Sequence, residues 1–147
     1  MRILSGTDGA SADRPVPFRV VGVFSDDLVA FWAERHLCTV TTLRADGSPH
    51  VVPMGVVLDP ERAVAWAITS GTSQKVANLR NGSDHRIAVC QVDGRRWSTI
   101  EGTAEVRGDA ADVAEAVRRY TQRYRVPREN PRRVALRIEI TRVLGNL

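Results

Sequence analysis

One stretch of the chain has the residue types and spacing for anion chemistry: Thr69-Ser70-Gly71-Thr72-Ser73-Gln74-Lys75-Val76-Ala77-Asn78. An apolar run ends here in glycine and hydroxyl residues and passes into helix formers. This places free backbone N–H groups, hydroxyls and a positive helix-dipole end at one point. Lys75 adds a full charge there. It is the sole lysine among 21 basic residues, so a chain that uses arginine everywhere else keeps its one compact ammonium at this turn. The pattern reads as a phosphate seat, although a plain helix capped by Thr72 or Ser73 uses the same residues.

A second chemical feature is a run of guanidinium groups, Arg118, Arg119, Arg123, Arg125, Arg128, Arg132 and Arg133. Tyr120 and Tyr124 are interleaved with it, and Glu129 is the only opposing charge. Such groups grip carboxylates or phosphates bidentately, or else form a solvated charged face. Arg95, Arg96 and Trp97 form a smaller cationic and aromatic group. Hydrolytic and metal chemistry lack their residues. There is no HExxH or CxxC, and no P-loop or GxGxxG fingerprint. Of the three histidines, His36 is expected to end a helix, His85 to lie solvated in a polar turn, and His50 to sit at a loop edge within reach of a ligand. No side chain is nominated as catalytic acid, base or nucleophile and no metal is expected. A reaction carried by a bound cofactor needs none of these, because the protein supplies orientation and electrostatics.

The elements that would position these residues follow from periodicity. Residues 1–22 mix Gly, Ser, Asp and Pro without a period and read as a loose arm. Ser25 caps a short amphipathic helix running to about His36. From Leu37 the period becomes two. Strands are expected over 37–44, 50–58, 63–69, 86–92, 97–106 and 133–144, with helices after Thr72 and after Asp109. Six strands joined mostly by tight turns favour an antiparallel sheet closed into a barrel, one domain over residues 23–147. Strands apolar on both faces, such as Val51 to Leu58, must be covered by helices or by a second subunit. The polar turn at Ser5 and the lack of any apolar run of about 20 residues predict a cytoplasmic protein with no membrane contact. Cys38 and Cys90 fall in apolar alternating runs and read as core residues. The net charge of +4 favours an anionic partner.

Three segments carry a family resemblance: Thr41-Thr42-Leu43-Arg44-Ala45-Asp46-Gly47-Ser48-Pro49-His50-Val51-Val52-Pro53, the Thr69–Lys75 turn, and Gln91-Val92-Asp93-Gly94-Arg95-Arg96-Trp97-Ser98-Thr99-Ile100-Glu101-Gly102. They resemble the flavin and deazaflavin split β-barrels of pyridoxamine-phosphate-oxidase-like fold. The run Arg119 to Val134 is similar to the F420-dependent branch, in particular to its biliverdin reductases. The resemblance covers residues 25–145. It implies a six-stranded antiparallel split barrel, a homodimer with cofactor sites at the interface, and a hydride passed from reduced F420 to a conjugated small-molecule acceptor. It implies further that Thr72, Ser73, Gln74 and Lys75, with Gly71 and Val76 in the same turn, hold the cofactor phosphate. His50, Val51, Val52, Pro53 and Met54 would line the ring, Asn78 would support the loop, and Arg95 and Arg132 would meet the polyglutamate tail or a substrate carboxylate. If the acceptor is a tetrapyrrole such as biliverdin, its two propionates would give the arginine run a purpose. The chain departs from the pattern in its longer arm and in Pro53-Met54, where smaller aliphatic residues are expected. Three other readings stay open: an FMN-dependent oxidase of the same fold, a non-catalytic F420 carrier and, last, a nucleic-acid binder, although the pattern favours no nucleic-acid role.

Overall fold

Strict alternation of apolar and polar residues lets a strand bury one face, and the sheet is built from such segments. In the computed structural model, which describes residues 24–147, they are β1 (Cys38–Leu43), β2 (Pro49–Met54), β3 (Val57–Asp59), β4 (Val64–Ser70), β5 (Arg86–Asp93), β6 (Arg96–Arg107) and β7 (Arg133–Gly145). The arm expected over residues 1–22 lies outside the described residues. Helices α1 (Asp26–Ala33), α2 (Gln74–Asn81) and α3 (Ala110–Arg123) complete the described part. All strands pair antiparallel in one sheet of order β2-β1-β5-β6-β7-β4-β3. No described helix is long and apolar enough to cross a membrane.

The expected six-stranded closed barrel is corrected here to seven strands with an open seam. Residues 50–58, read as one strand, break at Gly55-Val56 into β2 and β3, which lie at opposite edges of the sheet. Two residues join these edges, so the sheet must curl back on itself, yet no ladder pairs β2 with β3 among the described residues. The reason is a side chain from α3's end. The Tyr124 hydroxyl accepts from Val56 N–H at 3.3 Å and donates to the His36 carbonyl at 2.6 Å, filling the seam where strand pairing would continue. Gly55 is buried against it. A Cβ there would stand 2.7 Å from Tyr124 and 2.9 Å from Tyr120, closer than carbon atoms approach.

Inside the curl, Val40, Val56, Val76, Val89, Ile100, Leu136 and Ile138 form the main core, closed at one end by Trp32 of α1. On the outer side of β4 and β7, Ala116 of α3 packs against Val64, Trp66 and Ala135. Helices thus cover the second apolar face there, one of the two solutions the sequence allowed. Cys38 and Cys90 are free thiols, Cys38 buried in the core and Cys90 half-buried. Helix α1 stops at Ala33 rather than near His36. Glu34 turns extended because its carbonyl accepts from Arg123 at 2.7 and 2.9 Å and its carboxylate from Arg96 at 2.8 Å. His36 therefore lies beyond the helix, 2.9 Å from the Glu34 carboxylate.

Candidate functional site

Strand β4 delivers Thr69 and Ser70 to the turn that starts α2. There Gly71 N–H donates to the Arg132 carbonyl at 2.7 Å, which ties the turn to the loop before β7. A Cβ on Gly71 would lie only 3.0 Å from that oxygen, so a larger residue would push the loop back by a few tenths of an ångström. Ser73 has the N-cap conformation, but its hydroxyl accepts from Thr69 Oγ1 at 3.3 Å and makes no cap. By contrast, Ser25 caps α1 and Asp109 caps α3, at 3.1 Å each. The first-turn N–H groups of α2, on Gln74, Lys75 and Val76, therefore have no side-chain acceptor. Ser70 and Thr72 share a hydroxyl contact of 3.1 Å beside them.

Lys75 is half-buried, and among the described residues no carboxylate pairs with it. Burial pushes its ammonium below the usual lysine range. A desolvated cation beside an uncapped helix N-terminus favours an anion on both counts. Gln74 and Asn78 face another task. Gln74 Nε2 donates to Asn78 Oδ1 at 2.7 Å, and buried Asn78 donates to Thr42 Oγ1 at 2.9 Å, which moors α2 to β1. Val76 is a core residue, so it offers the turn only its N–H. Thr42 has no local sequence signal, because its partner lies 36 residues away.

Strand β2 brings the second predicted group alongside. His50 pairs with Thr42, Val52 with Val40 and Met54 with Cys38, so these three share the inward face, half-buried. Val51 and Pro53 point outward, and Val51 is 56% exposed. The run read as one ring-lining strip is thus divided between two faces by the pleat. His50 Nδ1 is buried without a partner. Burial first, then the charges of Arg44 and Lys75, holds the imidazole below its ordinary value of 6.5. The folded state therefore prefers neutral His50, and the resulting stability is present above pH 6.5 and is lost as pH falls through the lower folded value. An NMR titration should place the His50 midpoint below 6.5, and Lys75→Ala should move it upward; an unmoved midpoint would mean that Lys75 does not face His50.

The other predicted residues separate. Arg132 stays with the turn through its carbonyl, its side chain exposed. Arg95 sits in the β5–β6 hairpin, beyond Asp93, whereas His50 is level with the start of β5. At ~3.3 Å per residue the two stand on the order of 20 Å apart within one chain. The arginine run is also divided. Arg118 and Arg119 pair with Glu115 at 2.7 and 2.6 Å, and Arg119 with Asp59 at 2.9 Å. Arg123 is buried on neutral acceptors. Arg133 folds onto the Arg128 carbonyl. His85 is exposed, as expected of a solvated turn residue, and its ring also lies 2.9 Å from the Leu79 carbonyl near the end of α2. Glu34, His36 and Asp93 approach closely enough to share a cation, but the Arg96 guanidinium bonds to both carboxylates.

Two grooves adjoin these elements. One of about 350 Å³ runs from Met54 and Gly55 past Thr69 and Ser70 to Arg125 and Arg128. A larger one, about 520 Å³, lies on the outer sheet face, lined by Thr41, Leu43, Ala88, Glu101 and Arg142. Sequence reasoning singled out Arg125 and Arg128 by their density but did not place them with Leu37, Ile68 and Tyr120.

Residues 24–146 match the family described as pyridoxamine 5'-phosphate oxidase. An F420H(2)-dependent biliverdin reductase of Mycobacterium tuberculosis (strain CDC 1551 / Oshkosh) is 52% identical over 123 residues, which cover 83% of this chain and 88% of the relative. The crystal structure of a conserved hypothetical protein from Mycobacterium tuberculosis superposes with a TM-score of 0.70 at 26% identity, over 86% of this chain and 87% of the other. A structure named F420 reductase gives 0.64 at 20% identity over 78% and 94%, a likeness of fold. The curled sheet and its three helices are the split-barrel fold of these proteins, with the seam open. The chain belongs to the pyridoxamine 5'-phosphate oxidase family.

Proposed function

We propose that the protein is an F420H2-dependent reductase that acts as a homodimer on a conjugated acceptor of the biliverdin type. The observation that carries the reading is the half-buried Lys75, without a carboxylate partner among the described residues, at the uncapped start of α2, in a chain 52% identical to a reductase of that name. The site's chemistry fits the cofactor. A phosphodiester suits Lys75, the α2 N–H groups and the Ser70 and Thr72 hydroxyls. The orphaned His50 Nδ1 offers a hydrogen-bonding atom beside them.

When bound, F420H2 supplies a hydride from C5 of its deazaflavin ring. The protein's part is to hold and orient. Lys75 and the α2 N-terminus fix the anionic end, while His50, Val52 and Met54 flank the ring from β2. The network from Gln74 through Asn78 to Thr42 keeps these two walls in register. Neutral His50 adds no cation next to Lys75. What supports the homodimer is the outer sheet face, where exposed Val51 stands opposite Thr41 at the edge of the larger groove. Sedimentation should give twice the chain mass.

The same seat suits the FMN phosphate, and the family description favours that reading as the second one. Titrating F420 and FMN in competition separates the two, with F420 expected to displace FMN. Mixing the protein with F420H2 and biliverdin should then regenerate the visible band of oxidised F420. Tight F420 binding without that band, across biliverdin and a panel of quinones, would make the protein a carrier instead of a reductase.

A further inference from the structure

We infer that the groove between the β2–β3 seam and the loop over residues 124–132 is a carboxylate subsite, in which Arg125 and Arg128 hold the acidic groups of a flat conjugated acceptor against Tyr120. The inference deepens the reductase reading and rests on it for the acceptor's role. It starts from how the guanidinium groups are distributed. Arg118, Arg119, Arg123 and Arg133 are engaged within the fold, but among the described residues Arg125 and Arg128 have neither an ion pair nor a side-chain hydrogen bond. Both line the 350 Å³ groove, whose lining contains no acid. Like charges gathered without a counter-ion repel one another, and an incoming anion relieves that.

The loop that carries them is fixed in place. Tyr124 N–H donates to the Tyr120 carbonyl at 2.8 Å, Arg133 N–H to the Asn130 carbonyl at 3.1 Å, and the Arg133 guanidinium to the Arg128 carbonyl. The Arg132 carbonyl is held by Gly71. The opposite wall is apolar, made of Leu37, Met54 and Ile68. Tyr120 adds a ring whose plane is set by Tyr124, with centroids 5.0 Å apart. An apolar wall, an aromatic face and two cations on a fixed loop suit a planar frame bearing carboxylates, because the frame fills the slot and each carboxylate takes a fork of N–H donors. Position supports the same occupant. Thr69 and Ser70 line the groove and lead directly into the anion-binding turn, and Met54 belongs to the strand assigned to the ring.

The test compares biliverdin with its dimethyl ester, which keeps the frame and removes both charges. Each is titrated by absorption into the full chain without cofactor, for the wild type and for Arg125→Gln, Arg128→Gln and the double variant. The wild type should prefer the acid. Each substitution should weaken acid binding roughly tenfold, with ester binding, F420 affinity and the unfolding midpoint unchanged. In turnover the loss should appear in KM. Equal affinity of the wild type for acid and ester, or wild-type acid binding by the double variant, would overturn the inference. So would variants that weaken F420 carrying its oligoglutamate tail but not the tail-less cofactor, because the groove would then serve the tail. If F420 fails to bind while the acid preference and its dependence on Arg125 and Arg128 persist, the reductase reading falls and the carboxylate site stands.

Discussion

Arg123→Met should lower the unfolding free energy by about 3–5 kcal/mol, measured by urea denaturation, because it removes at once the charged donor shared by three acceptors, two of them in buried hydrogen bonds. Arg123 is 8% exposed and has no carboxylate partner among the described residues. Its guanidinium donates to the carbonyls of Glu34 and Val56 and to Gln91 Oε1, and lies over the rings of Trp32 and Tyr124 at 5.5 and 5.1 Å. These groups come from the exit of α1, the start of β3, strand β5 and the end of α3. Methionine keeps much of the volume and relieves the desolvated charge, which by itself would stabilise. Against that stands the Glu34 carbonyl, which has no other donor among the described residues, while the Val56 carbonyl and Gln91 Oε1 keep only long contacts from the Tyr124 hydroxyl at 3.4 Å and the Cys38 thiol at 3.7 Å; each loses a charge-assisted bond at a cost of roughly 1–3 kcal/mol. These losses outweigh the relief. Arg123→Lys should recover only part of the loss, since one ammonium cannot span acceptors spread over three elements. A cost under about 1 kcal/mol for the methionine variant would mean that water replaces the guanidinium, and that Arg123 is not what joins these elements.

The same residue shows how far the sequence could be read. Alternation placed the strands, and the caps at Ser25 and Asp109 were visible because a cap acts on the next three residues. The start of α2 was legible for the same reason. Its glycine, hydroxyls and lysine are neighbours in the chain, and their chemistry needs no distant partner. What the sequence hid depends on contacts far along the chain. Helix α1 ends early because Arg123, 89 residues on, captures the Glu34 carbonyl. The long apolar run over residues 50–58 breaks because Tyr124, 68 residues from Val56, occupies the seam. Arg123 was counted with the surface guanidinium groups because nothing within a few residues marks it as buried. Composition gave the number of arginines, and only packing sorted those that brace the fold from those that face a groove. The pleat likewise divided His50 to Met54 between two faces, which a reading by contiguity had joined.

The second large effect concerns binding. Lys75→Ala should weaken F420 by about 1.5–3 kcal/mol, roughly 10- to 150-fold in Kd, the range for a hydrogen bond made by a charged group. The argument turns on what the alanine variant leaves behind. The uncapped N–H groups of α2 and the Ser70 and Thr72 hydroxyls remain, so binding should weaken without vanishing. Stability should hold within about 0.5 kcal/mol, because Lys75 is half-buried with no ion pair among the described residues and its removal frees a partly desolvated charge. Lys75→Arg keeps the charge but replaces a compact ammonium with a planar fork, so it should fall between the two. The salt dependence of binding should become shallower in the alanine variant, as one cation fewer meets the anion. Unchanged F420 affinity together with an unchanged fold would place the anionic end of the cofactor away from this turn, and the assignment of the site would fail with it.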